Sequence, residues 1–241
     1  MATLFRRGDG YQQFRPDYPD TLFDWLARHS PNRQRALDVG CGSGQASRGL
    51  ERHFSQVLGL DISIAQLQAS PRTSTHYLAS NAHQLPIPEQ CLDLIMVAQA
   101  FHWFDQSAFI GEARRTLRPH GLLALVSYGL CDVEGLEGEI KRFHDGPLAP
   151  WWPSRRALVV AGYPGVKLDW PQPHFAGTHI ERLWHAEQMI GYLDTWSALV
   201  QAREQGQDPL IGFASQLRQH WGAQPRRVRW PLRVKAWQRP A

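Results

Sequence analysis

Cysteine is scarce in this chain of 241 residues, which contains Cys41, Cys91 and Cys131 and no other. The three lie far apart, and none belongs to a CxxC pair or stands beside a histidine-rich segment. This spacing argues against a disulfide framework and against a zinc site, so we expect no metal. Cys41 stands among glycines, where no base or cation flanks it to lower its pKa, which favours a small packing residue over a reactive thiol.

Long apolar runs are missing as well. No stretch of about eighteen apolar residues occurs, as a membrane-spanning helix would need, and residues 1–9 lack the apolar core of a signal peptide. The sequence also shows no internal repeat and no low-complexity tract. We therefore expect a cytoplasmic protein without a membrane partner. The length favours one α/β domain with an embedded cap over two separate domains.

Charge is only mildly unbalanced, with 26 Lys and Arg against 22 Asp and Glu and a pI near 9.2. In residues 227–237 the cations alternate with apolar residues at a period of two, which predicts a last strand with its cations on the solvent face. No basic tail or RNA-binding module accompanies this strand. We therefore expect no nucleic-acid partner.

What the sequence does contain is a glycine-rich turn between two apolar segments. Residues 37–45 read LDVGCGSGQ, and residues 58–63 read LGLDIS. An apolar strand thus enters a glycine turn, a helix leaves it, and a second strand ends on Asp61. This layout is typical of a nucleoside-binding half-sheet, so the pattern predicts a cofactor site.

The spacing of the glycines narrows the choice of cofactor. A dinucleotide site has the pattern GxGxxG, but here the third glycine comes one residue early, at Gly44, and Gln45 takes the expected position. No Lys-Ser or Lys-Thr pair follows the glycines, which excludes a P-loop. The spacing therefore predicts a cofactor that carries a ribose and no phosphate.

The segment 37–44 resembles the first motif of class I S-adenosylmethionine-dependent methyltransferases. The resemblance implies an α/β, Rossmann-like fold with a seven-stranded, mostly parallel sheet, helices on both faces and a helical cap insertion. It also implies S-adenosylmethionine as the cofactor, with S-adenosylhomocysteine as its product and the glycines close to the methionine and ribose portions. In that family, the residue matching Asp61 accepts both ribose hydroxyls in charge-assisted hydrogen bonds.

Two further segments extend the expected cofactor site. Residues 79–88 resemble the segment of the family that reaches the adenine, although Asn81 stands where the family usually has Asp and offers a neutral carbonyl acceptor. Residues 92–100 are nearly continuous in apolar side chains, typical of a buried parallel strand whose carboxyl end meets the ligand. The expected cofactor residues are Asp38, Gly40, Cys41, Gly42, Gly44, Gln45, Asp61, Ile62, Ser63, Asn81, Ala82, Gln99 and Ala100.

Segments outside the core resemble methyltransferases similar to trans-aconitate methyltransferase. They are the YxxxRPxYP pattern of residues 11–19, the FHWFD sequence of residues 101–105, residues 192–198, Asp208-Pro209 and residues 230–232. Several enzymes of that group esterify carboxylic acids. The resemblance therefore implies a small-molecule methyl acceptor, with a carboxylic acid that becomes a methyl ester as the favoured type.

A carboxylate acceptor is ionised at neutral pH and needs no general base, but it needs a cation or donors to hold it. The expected acceptor-binding residues are Tyr11, Arg15, Tyr18, His102, Trp103 and Trp196. His102 is also the candidate catalytic base for a hydroxyl, amine or carbon acid, unless it is a structural histidine. Two alternatives stay open: N-, O- or C-methylation of a neutral metabolite, and a regulatory protein that binds the cofactor without catalysis.

The expected organisation is a single domain with a lid segment (1–34), a cofactor-binding core (35–128), a helical cap with the sixth strand (129–226) and a last strand (227–238). Inside these parts we expect a helix over 106–117, the fifth strand over 121–128, helices over 134–144 and 154–161, the sixth strand over 166–170, and further helices over 183–222. The segment of residues 11–18 would close over the cofactor and exclude water, unless it is a helix that simply packs on the sheet.

Overall fold

The computed structural model describes residues 14–241, so Tyr11 and the rest of residues 1–13 lie outside the described part of the chain. The described chain forms strands β1 (Arg35–Val39), β2 (Gln56–Asp61), β3 (His76–Ala79), β4 (Leu92–Ala98), β5 (Leu117–Tyr128), β6 (Asp132–Val133), β7 (His179–Trp184) and β8 (Arg226–Gln238). They make one sheet in the order β3-β2-β1-β4-β5-β8-β6, and β7 also pairs with β8.

The sheet is parallel from β3 through to β5. Strand β8 then runs antiparallel to β5, β6 and β7. Parallel strands need crossover connections, which place helices over the faces of the sheet and bury both. The expected Rossmann-like fold is confirmed, with eight strands in place of seven.

Helices cover both faces of the sheet. They are α1 (Asp20–His29), α2 (Gln45–Leu50), α3 (Ile64–Gln68), α4 (Gln106–Thr116), α5 (Glu139–Asp145), α6 (Arg156–Val160), α7 (Ala186–Asp194), α8 (Ser197–Glu204) and α9 (Leu210–Trp221). Along β4, Leu94 and Met96 join the apolar cluster beneath α1, whereas Ile95 and Val97 join the cluster beneath α4. Within residues 14–241, no helix is long and apolar enough to cross a bilayer.

The segment between α6 and β7 departs from expectation. Residues 166–170 contain no strand, and the chain pairs with β8 only further along, at β7. Prolines at 164, 171 and 173 interrupt this stretch, and proline cannot donate to a ladder. Isolated hydrogen bonds from β8 hold the backbone instead: Lys235 Nζ donates to the carbonyl oxygens of Pro164 and Val166, both at 3.4 Å, and Gln238 N donates to Pro171 O at 2.8 Å.

One cap helix, α5, begins later in the sequence than expected. Helix α5 begins at Glu139 and not near 134, because Gly135 and Gly138 adopt φ of 75° and 76° in the turn before it. Such left-handed backbone interrupts a right-handed helix and suits glycine. Helix α6, the strand β5 and the helix α4 occupy the expected segments to within a few residues.

Candidate cofactor and acceptor site

The glycine turn follows β1 and is tied to the end of β2. Gly40, Gly42 and Gly44 have φ of 70°, 53° and 80°, so all three lie in the left-handed region. The backbone N–H groups of Gly40 and Cys41 both donate to the carbonyl oxygen of Leu60, at 2.7 and 3.0 Å. This turn requires glycine for its backbone shape alone.

The three glycines differ in what surrounds them. A Cβ on Gly40 would overlap the methyl group of Ala100, and a Cβ on Gly44 would overlap the phenol of Tyr77. A Cβ on Gly42 would meet nothing closer than Gln66 Oε1, at 3.8 Å. Gly42 is therefore the glycine that faces open space, where a cofactor can approach the backbone.

Asp61 ends β2 with its carboxylate held against the turn. Its Oδ2 accepts from Gly42 N at 2.8 Å, and its Oδ1 accepts from Ser63 N at 2.8 Å. A carboxylate has about four acceptor positions, so both oxygens keep capacity for two ribose hydroxyls. Beside it, Ile62 is 72 % exposed, an apolar surface suited to a base. These residues fit the ribose and adenine of S-adenosylmethionine.

Asp38 and Cys41 lie beneath the turn. Asp38 is fully buried and its Oδ2 accepts from Ser47 Oγ at 2.7 Å. Burial raises the pKa of Asp38 to about 7. Burial also raises the pKa of the Cys41 thiol far above its usual value, and the nearby carboxylates of Asp38 and Asp61 add to this. Both side chains support the turn from inside, which favours the interpretation of Cys41 as a packing residue.

The loops after β3 and β4 reach the same edge of the sheet. Asn81 is exposed, and its Oδ1 accepts from His83 N at 2.9 Å, while Ala82 is buried. Gln99 has φ of 61° and donates its N–H to Val126 O at 2.9 Å. The structure thus brings the expected cofactor residues together at the carboxyl ends of neighbouring parallel strands, as the topology requires.

Gln45, another expected cofactor residue, directly follows the glycine turn. It is the first residue of α2, but its Nε2 donates to Arg15 O and to Asp17 Oδ1, both at 3.1 Å. The side-chain amide is therefore engaged with the segment before α1, and that engagement was not foreseen.

Arg15 is held at the carboxyl end of β5 by the cap. Its Nη1 donates to Tyr128 Oη at 3.1 Å, and its Nη2 donates to Thr195 O at 3.2 Å. The guanidinium also lies over the Tyr192 ring, 5.4 Å from its centroid. Tyr18 is buried, with its ring 6.1 Å from that of Tyr128. The structure therefore joins two predicted acceptor residues, Arg15 and Tyr18, to two tyrosines.

His102 lies in a single 3₁₀ turn after β4 and is 7 % exposed. Burial lowers the pKa of His102 to about 3, and the positive charges of Arg156 and Arg155 contribute. Arg155 Nη1 also donates to His102 O at 3.2 Å. Trp103 is half-buried, with its ring 4.5 Å from the imidazole. His102 is thus neutral and surrounded by cations, which makes it a weak base.

Trp196 is 1 % exposed, so it is packed within the cap. Its ring lies 5.7 Å from Tyr192 and 5.3 Å from Trp152, and the Arg156 guanidinium lies 5.3 Å from the Trp152 ring centroid. These contacts connect Tyr192, which packs against Arg15, to Arg156, which lies near His102.

Four residues of this region were not predicted from the sequence: Tyr128, Trp152, Arg156 and Tyr192. Tyr128 had a usable signal, because it ends a buried strand at the edge where ligands bind. Arg156 had none, since its approach to His102 depends on how α6 packs. In the described part of the chain, no three His, Cys, Asp or Glu side chains are grouped to hold a metal ion.

Known proteins share this architecture and much of the sequence. Residues 37–125 match a family model described as a methyltransferase domain. A methyltransferase of Dictyostelium discoideum is 31 % identical over 193 residues, which cover 78 % of this chain and 73 % of that protein.

A solved structure described as a type II methyltransferase from Anaeromyxobacter dehalogenans is 39 % identical, with a TM-score of 0.85 over 94 % of this chain and 99 % of that one. A malonyl-[acyl-carrier protein] O-methyltransferase of Dechloromonas aromatica is 38 % identical over 95 residues, 39 % of this chain and 36 % of that protein. The chain belongs to the class I S-adenosylmethionine-dependent methyltransferases.

Proposed function

We propose that the methyl acceptor of this S-adenosylmethionine-dependent methyltransferase is a small carboxylic acid, which leaves as its methyl ester. The observation that carries the proposal is the setting of His102, which is 7 % exposed and whose backbone carbonyl accepts a hydrogen bond from Arg155 Nη1 at 3.2 Å. Its pKa of about 3 keeps it neutral, beside Arg155 and Arg156. This setting disfavours proton transfer to His102 and favours an acceptor that arrives as an anion.

The choice between acceptors follows from their own acidity. A hydroxyl, amine or carbon acid must lose a proton to become a good nucleophile, and efficient general bases have a pKa near the working pH. A carboxylic acid is already ionised at neutral pH. The weak basicity of His102 therefore disfavours methylation of a hydroxyl, amine or carbon acid. It does not affect methylation of a carboxylate.

Arg15 supplies the cation that a carboxylate acceptor needs. The face of Tyr192 and the hydroxyl of Tyr128 hold its guanidinium at the carboxyl end of β5. A planar guanidinium suits a carboxylate because two parallel N–H groups can reach its two oxygens. The O-methyltransferase of Dechloromonas aromatica, named for a malonyl substrate, adds support over the shared core.

S-adenosylmethionine supplies, when bound, a methyl group on a sulfonium that is open to in-line displacement. The protein contributes position and exclusion of water. Asp61 and the Gly42 backbone would hold the ribose, Ile62 would pack on the adenine, and Arg15 would orient the acceptor so that one carboxylate oxygen points at the methyl carbon. The oxygen–carbon bond would form as the carbon–sulfur bond breaks, so none of these residues would have to accept a proton.

The test is transfer of radiolabelled methyl from S-adenosylmethionine to a panel of acids, amines and phenols, followed by treatment with base. Volatile, base-labile label indicates methyl esters and supports the proposal. Base-stable label indicates N-, O- or C-methylation of a neutral metabolite. Absence of label on the whole panel, with S-adenosylhomocysteine bound tightly, leaves either an acceptor outside the panel or a regulatory protein.

A matched pair of variants tests the role of Arg15. Arg15→Gln should lower kcat/KM for the acid roughly 100-fold, because a charge-assisted hydrogen bond is lost. Arg15→Lys keeps the charge and should lose less. Equal activity of both variants and the wild type would contradict the role given to Arg15.

A further inference from the structure

Gln45 connects the cofactor turn to the segment that carries Arg15. It follows Gly44 directly, and its single side-chain nitrogen donates to two acceptors on that segment, Arg15 O and Asp17 Oδ1, both at 3.1 Å. The two partners lie 30 and 28 residues away along the chain. This contact is therefore made by the tertiary fold alone.

The segment of residues 14–19, called the strap below, is attached at several points. Arg182 Nη2 donates to Asp17 O at 2.7 Å, and Phe14 packs against Gly191, where a Cβ would overlap its ring. The side chain of Arg15 leaves the strap on its other side, toward Tyr128 and Thr195. The strap thus contacts Gln45 through the Arg15 carbonyl oxygen and the Asp17 carboxylate, and it contacts Tyr128 and Thr195 through the Arg15 guanidinium.

This arrangement places the side-chain amide of Gln45 between the glycine turn and the backbone of Arg15. The backbone of Arg15 is fixed by Gln45, and its guanidinium is fixed by the cap. Gln45 itself is fixed by the turn, since Gly44 N donates to Cys41 O at 2.9 Å immediately before it. A side chain at the end of the cofactor turn therefore anchors the backbone of Arg15.

We propose that Gln45 is a positioning residue that couples the cofactor turn to Arg15, so that an occupied cofactor site holds Arg15 ready for the acceptor. The proposal rests on the proposed function, in which Arg15 binds the acceptor carboxylate. Coupling between two binding sites is reciprocal, so the acceptor also strengthens cofactor binding through the same contact.

The first experiment measures hydrogen–deuterium exchange of peptides that cover the strap, with and without saturating S-adenosylhomocysteine. In the wild type, S-adenosylhomocysteine should slow exchange in the strap. In Gln45→Ala, which keeps a good helix former at this position, the slowing should disappear, while S-adenosylhomocysteine affinity changes less than about threefold.

The second experiment separates KM from kcat with the acid that the labelled panel identifies. Gln45→Ala should raise the acceptor KM roughly tenfold and leave kcat within about twofold, because one charge-assisted and one neutral hydrogen bond are lost. Gln45→Glu places a carboxylate against Asp17 and should raise KM further. Asp17→Asn keeps an oxygen acceptor and is the matched control, with a KM close to the wild type.

Two results would overturn the inference. One is an unchanged exchange response and acceptor KM in Gln45→Ala. The other is a large loss of S-adenosylhomocysteine affinity with an unchanged acceptor KM, because Gln45 would then bind the cofactor itself. If the wild type makes no methyl ester, the proposed function fails, but the exchange experiment still decides the coupling.

A variant at a second attachment point of the strap keeps the inference testable if Gln45→Ala does not fold. Arg182→Ala releases the carbonyl oxygen of Asp17 without touching the cofactor turn. It should also weaken the exchange response of the strap. An unchanged response in this variant, together with a folded and unchanged Gln45→Ala, contradicts the coupling.

Discussion

The phenol of Tyr77 fills the space that a Cβ on Gly44 would occupy, with its Cζ 2.9 Å from that position. Tyr77 lies on β3, and Gly44 ends the cofactor turn with φ of 80°. A side chain from the edge of the sheet therefore closes the back of the turn. The need for glycine at this position arises inside the protein and not from the cofactor.

Gly44→Ala should lower the free energy of unfolding by about 3 kcal/mol, because left-handed strain and overpacking add at this position. Chemical denaturation followed by tryptophan fluorescence measures the change. A loss below about 1 kcal/mol would show that the turn and Tyr77 can move apart at little cost.

Gly42→Ala is the matched control within the same turn. Its φ of 53° costs about 1 kcal/mol, but its Cβ would project into open space. The variant should stay folded and bind S-adenosylhomocysteine at least roughly tenfold more weakly, measured by calorimetry. Retained affinity would contradict the assignment of this space to the cofactor.

Asp61→Ala should weaken S-adenosylhomocysteine binding roughly 100-fold, since two charge-assisted hydrogen bonds to the ribose would be lost. Asp61→Asn keeps one oxygen acceptor, so its affinity for S-adenosylhomocysteine should lie between those of Asp61→Ala and the wild type. Calorimetric titration gives both dissociation constants. Unchanged binding in Asp61→Ala would contradict the assignment of the ribose hydroxyls to this carboxylate.

The low pKa of His102 predicts a pH dependence of stability. Burial and the nearby arginines lower this pKa from 6.5 to about 3, so between these values the unfolded chain binds more protons than the folded one. Stability should fall as pH drops through this window, and less so in His102→Gln, as urea unfolding at pH 4.5 and pH 7 can measure. A break near pH 6.5 in kcat/KM that His102→Gln abolishes would instead identify His102 as a base.

Asp38 predicts a dependence of opposite sign. Burial raises its pKa from 3.8 to about 7, so between these values the folded chain keeps a proton that the unfolded chain has released. This contribution is lost as pH rises, and Asp38→Asn should raise the stability at pH 7 relative to pH 4.5. Because His102→Gln should lower the same difference, changes of the same sign in both variants would contradict one of the two assignments.

The cofactor half of the site was accessible from sequence because its determinants are local. The pattern of Gly40, Gly42 and Gly44 predicts a turn whose left-handed backbone is unfavourable for other residues. Asp61 ends an apolar strand at a typical spacing along the sequence from that turn. Parallel order then brings the strand ends to one edge, as the confirmed fold shows. The start of α5 at Glu139, later than the expected 134, leaves these relations unchanged.

The acceptor half depends on contacts between residues far apart in sequence. The amide of Gln45 could face cofactor or protein, and only the path of the strap decided that it donates to Arg15 and Asp17. The approach of Arg156 to His102 follows from the packing of α6, for which periodicity carries no signal.

The sequence by itself determined the fold class, the cofactor turn and the carboxylate beside it, because backbone shape and strand burial are set by neighbouring residues. The tertiary structure alone decided the setting of His102, the clustering of Arg15 with Tyr128 and Tyr192, and the absence of a strand at 166–170 within the described chain. Each of these features depends on contacts between segments that are distant in sequence, and local sequence patterns do not predict such contacts.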